Sequence, residues 1–465
     1  MLKNCQTKIS GARKKQVRGG RGAVLVQERW PRSCRIAHLV VNDVQTVAVR
    51  YRSSFWLTFL FANAEEGSFA LNRRRFVRLT SLGSGALLCG FERGGLKGGG
   101  FEGPALGQTS AEARQDYGEP LGQVDFVNEG PVEMDTAFGS ELDGRLYTSL
   151  EGLAEKSLVT PEERFYLRTR ASRLLPQPEN WAIVVDGLTT PKQSVKIAEM
   201  RAREKALGLH LMECAGNTRT AHFGMISVGE WAGVPIAELL QEWKPSPSAT
   251  RVLVSGFDKY AASSVTSVAG ASWVFTFGEL KSAGTFLATK LNGKSLSRDH
   301  GAPVRLVVPG WYGCTCIKWV DRITFVDDAA EATSQMTEYA GRTHQNGSPR
   351  LAKDFLPARI EHAAMPVRVE KLRVNGKLKY RVAGVLWGGS ETVAKLGIRF
   401  NPEEEYVPVE SLRVPQTTPW TLWSHTWAPP ERGRYTIRLA ILEPSEKPKR
   451  LEAGYYARTV EIDEV

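Results

Sequence analysis

Apolar and polar positions along this chain follow two different rhythms. Between about residues 120 and 345, short alternating runs are mixed with a helical pattern. The run WAIVVDG (181–187) closes on a turn signal and predicts a strand. Val252 and Val254, then Val304, Leu306 and Val308, alternate as half-buried strands do. Between them Pro235 suits the first turn of a helix, and Ile236, Leu239, Leu240 and Trp243 recur at helical spacing. Strands and helices without a regular strand–helix repeat predict an α+β domain rather than a doubly wound sheet. From about 365 the rhythm becomes one of strands and turns. Val374-Asn375-Gly376-Lys377 sits between two alternating runs, a hairpin signal. Tyr435, Ile437, Leu439 and Ile441 alternate against Thr436, Arg438 and Ala440. Trp387, Trp420, Trp423 and Trp427 supply the bulk a small β core needs. Residues 365–465 therefore predict a β-sandwich.

A chain of 465 residues is too long for one ordinary core, so two domains and a tail are expected. The formal charge of +11 suggests a nucleic-acid partner until it is located. Residues 1–90 carry 16 Lys+Arg against 4 Asp+Glu, whereas the remaining 375 residues carry 45 against 46. The basic character thus belongs to the leader, and no nucleic-acid partner is expected. The six cysteines, at 5, 34, 89, 214, 314 and 316, include no Cys-x-x-Cys, which argues against a zinc ribbon or covalent haem. No run of 18 apolar residues occurs, so no stable membrane span is expected.

The leader has its own signal. NRRRFVR (72–78) looks like a twin-arginine export motif built on Arg73 and Arg74, followed by LTSLGSGALLCG (79–90), a short, weakly apolar stretch. The bland alternative is a basic patch ahead of a buried helix. A twin-arginine signal normally sits near the start of translation, and residues 1–70 show no clear pattern. Translation is therefore expected to begin shortly before Asn72, with the mature protein exported to the periplasm. The Gly-rich stretch 91–119 reads as a flexible linker, 120–345 as the catalytic domain, 346–364 as a connector and 365–465 as the β-sandwich.

Two strings carry the candidate chemistry. Residues 213–219 read ECAGNTR, and residues 299–319 read DHGAPVRLVVPGWYGCTCIKW. A lone cysteine is ordinarily a small buried hydrophobe. Here Ala215-Gly216 permits close backbone approach to Cys214, and Asn217 and Arg219 add polar groups. In the second string His300, Arg305 and Lys318 are donors suited to an anion, although such residues are commonly just solvated.

Together these strings closely resemble the two cofactor motifs of the sulfite oxidase family of molybdenum enzymes. The resemblance implies that Cys214 ligates molybdenum as a soft thiolate and that His300, Arg305 and Lys318 hold molybdopterin. It extends to Asp258 in SGFD (255–258), matching a pterin-bonding acid. It extends also to Phe165 and Arg168 in FYLR (165–168), matching a segment that contacts the cofactor and whose arginine reaches the substrate pocket. Tyr339 in QMTEY (335–339) matches an active-site tyrosine. Arg168 and Arg219 become candidates to bind a small oxyanion, with a surface salt bridge as the plain alternative. Cys314 and Cys316, two apart in a possible strand, would face the same way, either near the cofactor or in the core, with the core role favoured. The chain departs from the animal and plant enzymes at Thr169-Arg170 and at Thr315.

The resemblance implies oxygen-atom transfer on a sulfur oxyanion, sulfite to sulfate foremost. Sulfoxide reduction with the same cofactor, or a fold kept without catalysis, are the alternatives. No His-Pro-Gly-Gly haem motif occurs, so electrons are expected to pass to an external carrier such as a c-type cytochrome. Residues 365–465 match the family's immunoglobulin-like dimerisation domain, implying a homodimer. Because Cys214, His300, Arg305 and Lys318 all precede Ala364, the pterin site is expected to survive removal of that domain.

Overall fold

The computed structural model describes residues 118–140, 143–169, 180–257, 271–413, 419–444 and 447–465, together with the backbone of five strands between Lys15 and Ala62. Those five strands pair in chain order as an antiparallel meander within a unit of their own. The twin-arginine motif, the stretch 79–90, Arg170 and Asp258 lie outside the described residues.

From Ala105 onward the chain is one compact unit. Its centre is built from two five-stranded sheets. In the first the order is Gln193–Lys196, Ala182–Gly187, Val320–Val326, Arg251–Gly256 and Ser272–Thr276. Ala182–Gly187 runs parallel to Val320–Val326, and the other pairings are antiparallel. The expected strands at 181–187 and around Val252 and Val254 are the core of this sheet. In the second sheet Lys205–Glu213, Ile226–Pro235, Phe286–Leu291 and Lys294–Ser295 lie in order, and Arg305–Val307 also pairs with Phe286–Leu291. All three residues of Arg305–Val307 are buried, so this strand is covered on both faces rather than half-buried as its alternation suggests. The expected helix is Ile236–Trp243, burying Ile236, Leu239 and Trp243. Pro235 closes the preceding strand and caps the helix instead of standing in its first turn.

The C-terminal region forms two further five-stranded sheets. One runs Ser411–Arg413, Trp420–Trp427, Lys377–Trp387, Ala363–Val374 and Glu119–Val124. The other runs Val407–Pro408, Leu396–Arg399, Gly433–Ile441, Arg458–Ile462 and Phe126–Val127. Asn375 and Gly376 both take positive φ (51° and 76°), the geometry of a tight two-residue hairpin turn. The two sheets face each other: Trp427 stacks on Phe400 at 4.0 Å and meets Tyr435 edge-on at 4.6 Å. Trp387, Trp420 and Trp423 are buried.

Two expectations change. Strands dominate throughout, and the longest described helix has only 8 residues. Residues 119–127, expected to belong with the linker and the catalytic domain, instead add an edge strand to each C-terminal sheet. A buried ion pair between Glu129 and Arg458 fixes this return of the chain, with Nε to Oε1 at 2.8 Å. One unbroken apolar cluster runs through the central and C-terminal sheets.

Candidate cofactor and active site

Cys214 is the first residue after the strand Lys205–Glu213, which pairs with Ile226–Pro235 so that Glu213 lies opposite Ile226. The hairpin register thus sets the cysteine's position. Its N–H donates to the carbonyl of Met225 at 2.9 Å, and its sulfur accepts the Gly216 N–H at 3.4 Å. Asn217 closes the loop, accepting the Met225 N–H at 3.0 Å and donating to Glu213 at 3.3 Å. Burial pushes the Cys214 thiol up, while the Gly216 N–H and the cations of Arg168 and Arg342 act in the opposite direction. A thiolate in such a place is stabilised by a soft metal cation.

The second string supplies the basic side chains of the site. His300 is buried; its Nδ1 lies 2.8 Å from the Ser297 hydroxyl and its Nε2 3.2 Å from the Phe165 carbonyl. Those contacts fit a neutral ring with the proton on Nε2. The Phe165 ring is packed in the core, edge-on to both Trp231 and His300, so it positions the histidine through its carbonyl and its ring. Arg305 is 5% exposed and, among the described residues, donates only to neutral groups: the carbonyls of His300 (2.9 Å) and Cys316 (3.1 Å) and the thioether of Met212 (3.3 Å). Its Nε is buried and has no partner among the described residues. Lys318 donates to the carbonyls of Arg168 and Asp299, at 2.9 and 3.0 Å. Burial and the neighbouring Arg305 hold the lysine well below its usual range.

Tyr339 ends the helix Ser334–Tyr339 and is buried. Burial and the Cys214 sulfur raise its phenol, and Arg168 acts to lower it, so the three groups lie within reach of one another's charge. Arg219 is placed differently. It is exposed, and its guanidinium donates to the carbonyl of Ala457. Arg342, which sequence reasoning missed, brings its Nη1 to 3.4 Å from the point a Cβ on Gly216 would occupy, with the Cys214 sulfur 3.8 Å from the same point. Cys314 and Cys316 are buried, but Cys314 lies in a 3-10 turn (Gly313–Thr315) rather than a strand, so the same-face argument fails. The Cys316 sulfur accepts the Val308 N–H at 3.4 Å.

Residues 172–334 match the family model of the oxidoreductase molybdopterin binding domain. The chain is 26% identical over 343 residues to sulfite oxidase of Gallus gallus, covering 68% of this chain and 72% of that protein. These matches support the sulfite oxidase family of molybdopterin oxidoreductases for this chain. It is therefore a molybdopterin oxidoreductase whose cofactor is the molybdenum cofactor. Other relatives align over less of their length: 28% identity over 203 residues with the mitochondrial sulfite oxidase of Drosophila melanogaster, spanning 35% of it, and 30% over 211 residues with a nitrate reductase [NADPH] of Mycosarcoma maydis, spanning 21%. Among solved structures, the sulfane dehydrogenase SoxCD of Paracoccus pantotrophus superposes with a TM-score of 0.54 at 18% identity, over 78% of this chain and 96% of that chain. That likeness is one of fold.

The residues present fit this family's cofactor. Arg305 is a sequestered cation and Lys318 a sequestered amine, both held by neutral partners, and an anionic acceptor would satisfy the Arg305 Nε, which has no partner among the described residues. A phosphate-bearing pterin supplies one. Cys214 offers the soft ligand for a metal whose remaining sulfur ligands arrive with the pterin.

The contacts of the cysteine loop argue against a separable pterin site. Four side chains beyond Ala364 grip the cysteine loop. Trp387 and Tyr456 donate to the wholly buried carboxylate of Glu213 at 2.8 and 3.2 Å. Tyr455 donates to the carbonyl of Asn217 at 2.6 Å, and Arg450 to that of Ala215 at 2.9 Å. Nothing in the spacing of these residues signals such contacts.

His300 also gives the fold a pH dependence. Burial above all, with help from Arg305 and Lys318, pushes its ring down to about 4. In the unfolded chain it titrates near ~6.5. The unfolded state thus takes up a proton that the folded state refuses. The contribution is fully present above about 6.5 and is lost as pH falls towards 4, at no more than about 1.4 kcal/mol per pH unit. Thermal unfolding of His300→Gln should show a flatter acid limb than wild type; identical limbs would contradict this.

Proposed function

We propose that this protein oxidises a small sulfur oxyanion, sulfite foremost, to sulfate. The observation that carries the proposal is that the buried Tyr339 and the Arg168 cation both lie within electrostatic reach of the Cys214 sulfur. The bound cofactor supplies two-electron oxygen-atom transfer. The chain's own residues do the rest. Arg168 offers charge-assisted donors that fix the oxyanion's orientation. The raised Tyr339 phenol stays protonated and donates a hydrogen bond without competing as an anion. Overall, sulfite and water give sulfate, two protons and two electrons.

The electrons are proposed to leave singly to a separate c-type cytochrome. The leader motif NRRRFVR supports export through the twin-arginine pathway to the periplasm. The facing C-terminal sheets support an immunoglobulin-like sandwich, which we propose also mediates a homodimer.

Sulfite should reduce added cytochrome c in the presence of the purified enzyme, whereas dimethyl sulfoxide should not be turned over by the reduced enzyme. Sulfoxide turnover with no sulfite oxidation would reverse the assignment. Arg168→Met should raise KM for sulfite tenfold to a hundredfold, the equivalent of about 1.5–3 kcal/mol for a lost charge-assisted contact. An unchanged KM would remove Arg168 from the pocket.

A further inference from the structure

Arg342 has a setting that the reaction described above does not use. It ends the 3-10 turn Ala340–Arg342, directly after the helix that carries Tyr339. Its backbone is pinned, because its carbonyl accepts from Arg450 at 2.7 Å and the same Arg450 nitrogen reaches Ala215 beside the cysteine. Its side chain is held too, with the guanidinium carbon 5.4 Å from the centre of the Tyr339 ring. The residue is exposed, and among the described residues no carboxylate pairs with it. Gly216 leaves the space in which this guanidinium and the Cys214 sulfur approach the same point.

A cation fixed by its backbone and by an aromatic face, open to solvent and without a counter-ion, is arranged to receive an anion. We propose that Arg342 is a second substrate-anchoring group, which holds the oxyanion from the solvent side of the pocket and selects anionic over neutral substrates. This rests on the oxyanion reading given above, in which Arg168 holds the same substrate from within. Arg219, tied to Ala457, leaves this outer position to Arg342.

The test uses the cofactor-loaded enzyme and sulfate as a non-reacting probe, with binding measured by calorimetry beside sulfite kinetics. Arg342→Met keeps an apolar stem over Tyr339 but loses the charge. It should weaken sulfate binding about tenfold and raise KM for sulfite by a similar factor, a larger change than any in kcat. Arg342→Lys should recover part of the affinity, and the dependence of kcat/KM on ionic strength should flatten only in the Met variant. A merely structural role would shift thermal stability in both variants and leave sulfate affinity and salt dependence as in wild type; that result overturns the inference. If wild type binds sulfate and Arg168→Met weakens it while Arg342→Met does not, only the role of Arg342 falls. If wild type binds neither sulfate nor sulfite, the oxyanion reading falls with it.

Discussion

Cutting the chain after Ala364 should abolish cofactor binding. The truncated chain loses Trp387 and Tyr456 from the Glu213 carboxylate, Tyr455 from Asn217 and Arg450 from Ala215. It also loses the strands that pair with Glu119–Val124 and Phe126–Val127. A milder variant separates local from global failure. Trp387→Phe keeps the apolar bulk but leaves one oxygen of a wholly buried carboxylate without its donor, which costs about 1–3 kcal/mol. The expected result is a lower melting temperature and weakened retention of molybdenum in a still-folded protein. Normal metal content in both the truncated chain and Trp387→Phe would show that the C-terminal sheets are dispensable to the site.

Replacing the metal ligand should have the other large effect. Cys214→Ser substitutes a harder, less easily ionised oxygen for a soft sulfur in a buried position. Turnover should fall by about a thousandfold or more, equivalent to at least ~4 kcal/mol of barrier. The fold should survive, because the loop is fixed by backbone bonds from Cys214 to Met225 and from Asn217 to Cys214, neither of which uses the side chain. Steady-state rates with a dye acceptor, alongside thermal unfolding, separate loss of chemistry from loss of structure. Activity within tenfold of wild type would exclude Cys214 as the essential ligand.

What could be read in advance follows from where the information sits in the chain. Cys214, His300, Arg305 and Lys318 fall in two contiguous strings whose residue types suit their chemistry, so they were legible, as were the hairpin at Asn375-Gly376 and the helix after Pro235. The edge strand Glu119–Val124 was not, because five of its six residues are exposed and no alternation marks it. The grip on Glu213 was also hidden. Its donors stand 174 and 243 residues away, and no local period connects them. Arg219 shows the converse. It belongs to a recognisable string, but a side chain long enough to turn outward found the Ala457 carbonyl instead. Arg342 left one usable trace, a cation shortly after Tyr339 on the same turn, and its meaning depends on the approach of Gly216 from a distant loop.

The most direct test is the metal itself. Protein purified from cells that make the cofactor should contain stoichiometric molybdenum and pterin by elemental and fluorescence analysis. X-ray absorption at molybdenum should then show one sulfur neighbour fewer in Cys214→Ser than in wild type. A wild-type protein without molybdenum, or a sulfur shell unchanged by the substitution, would contradict the assignment of this site.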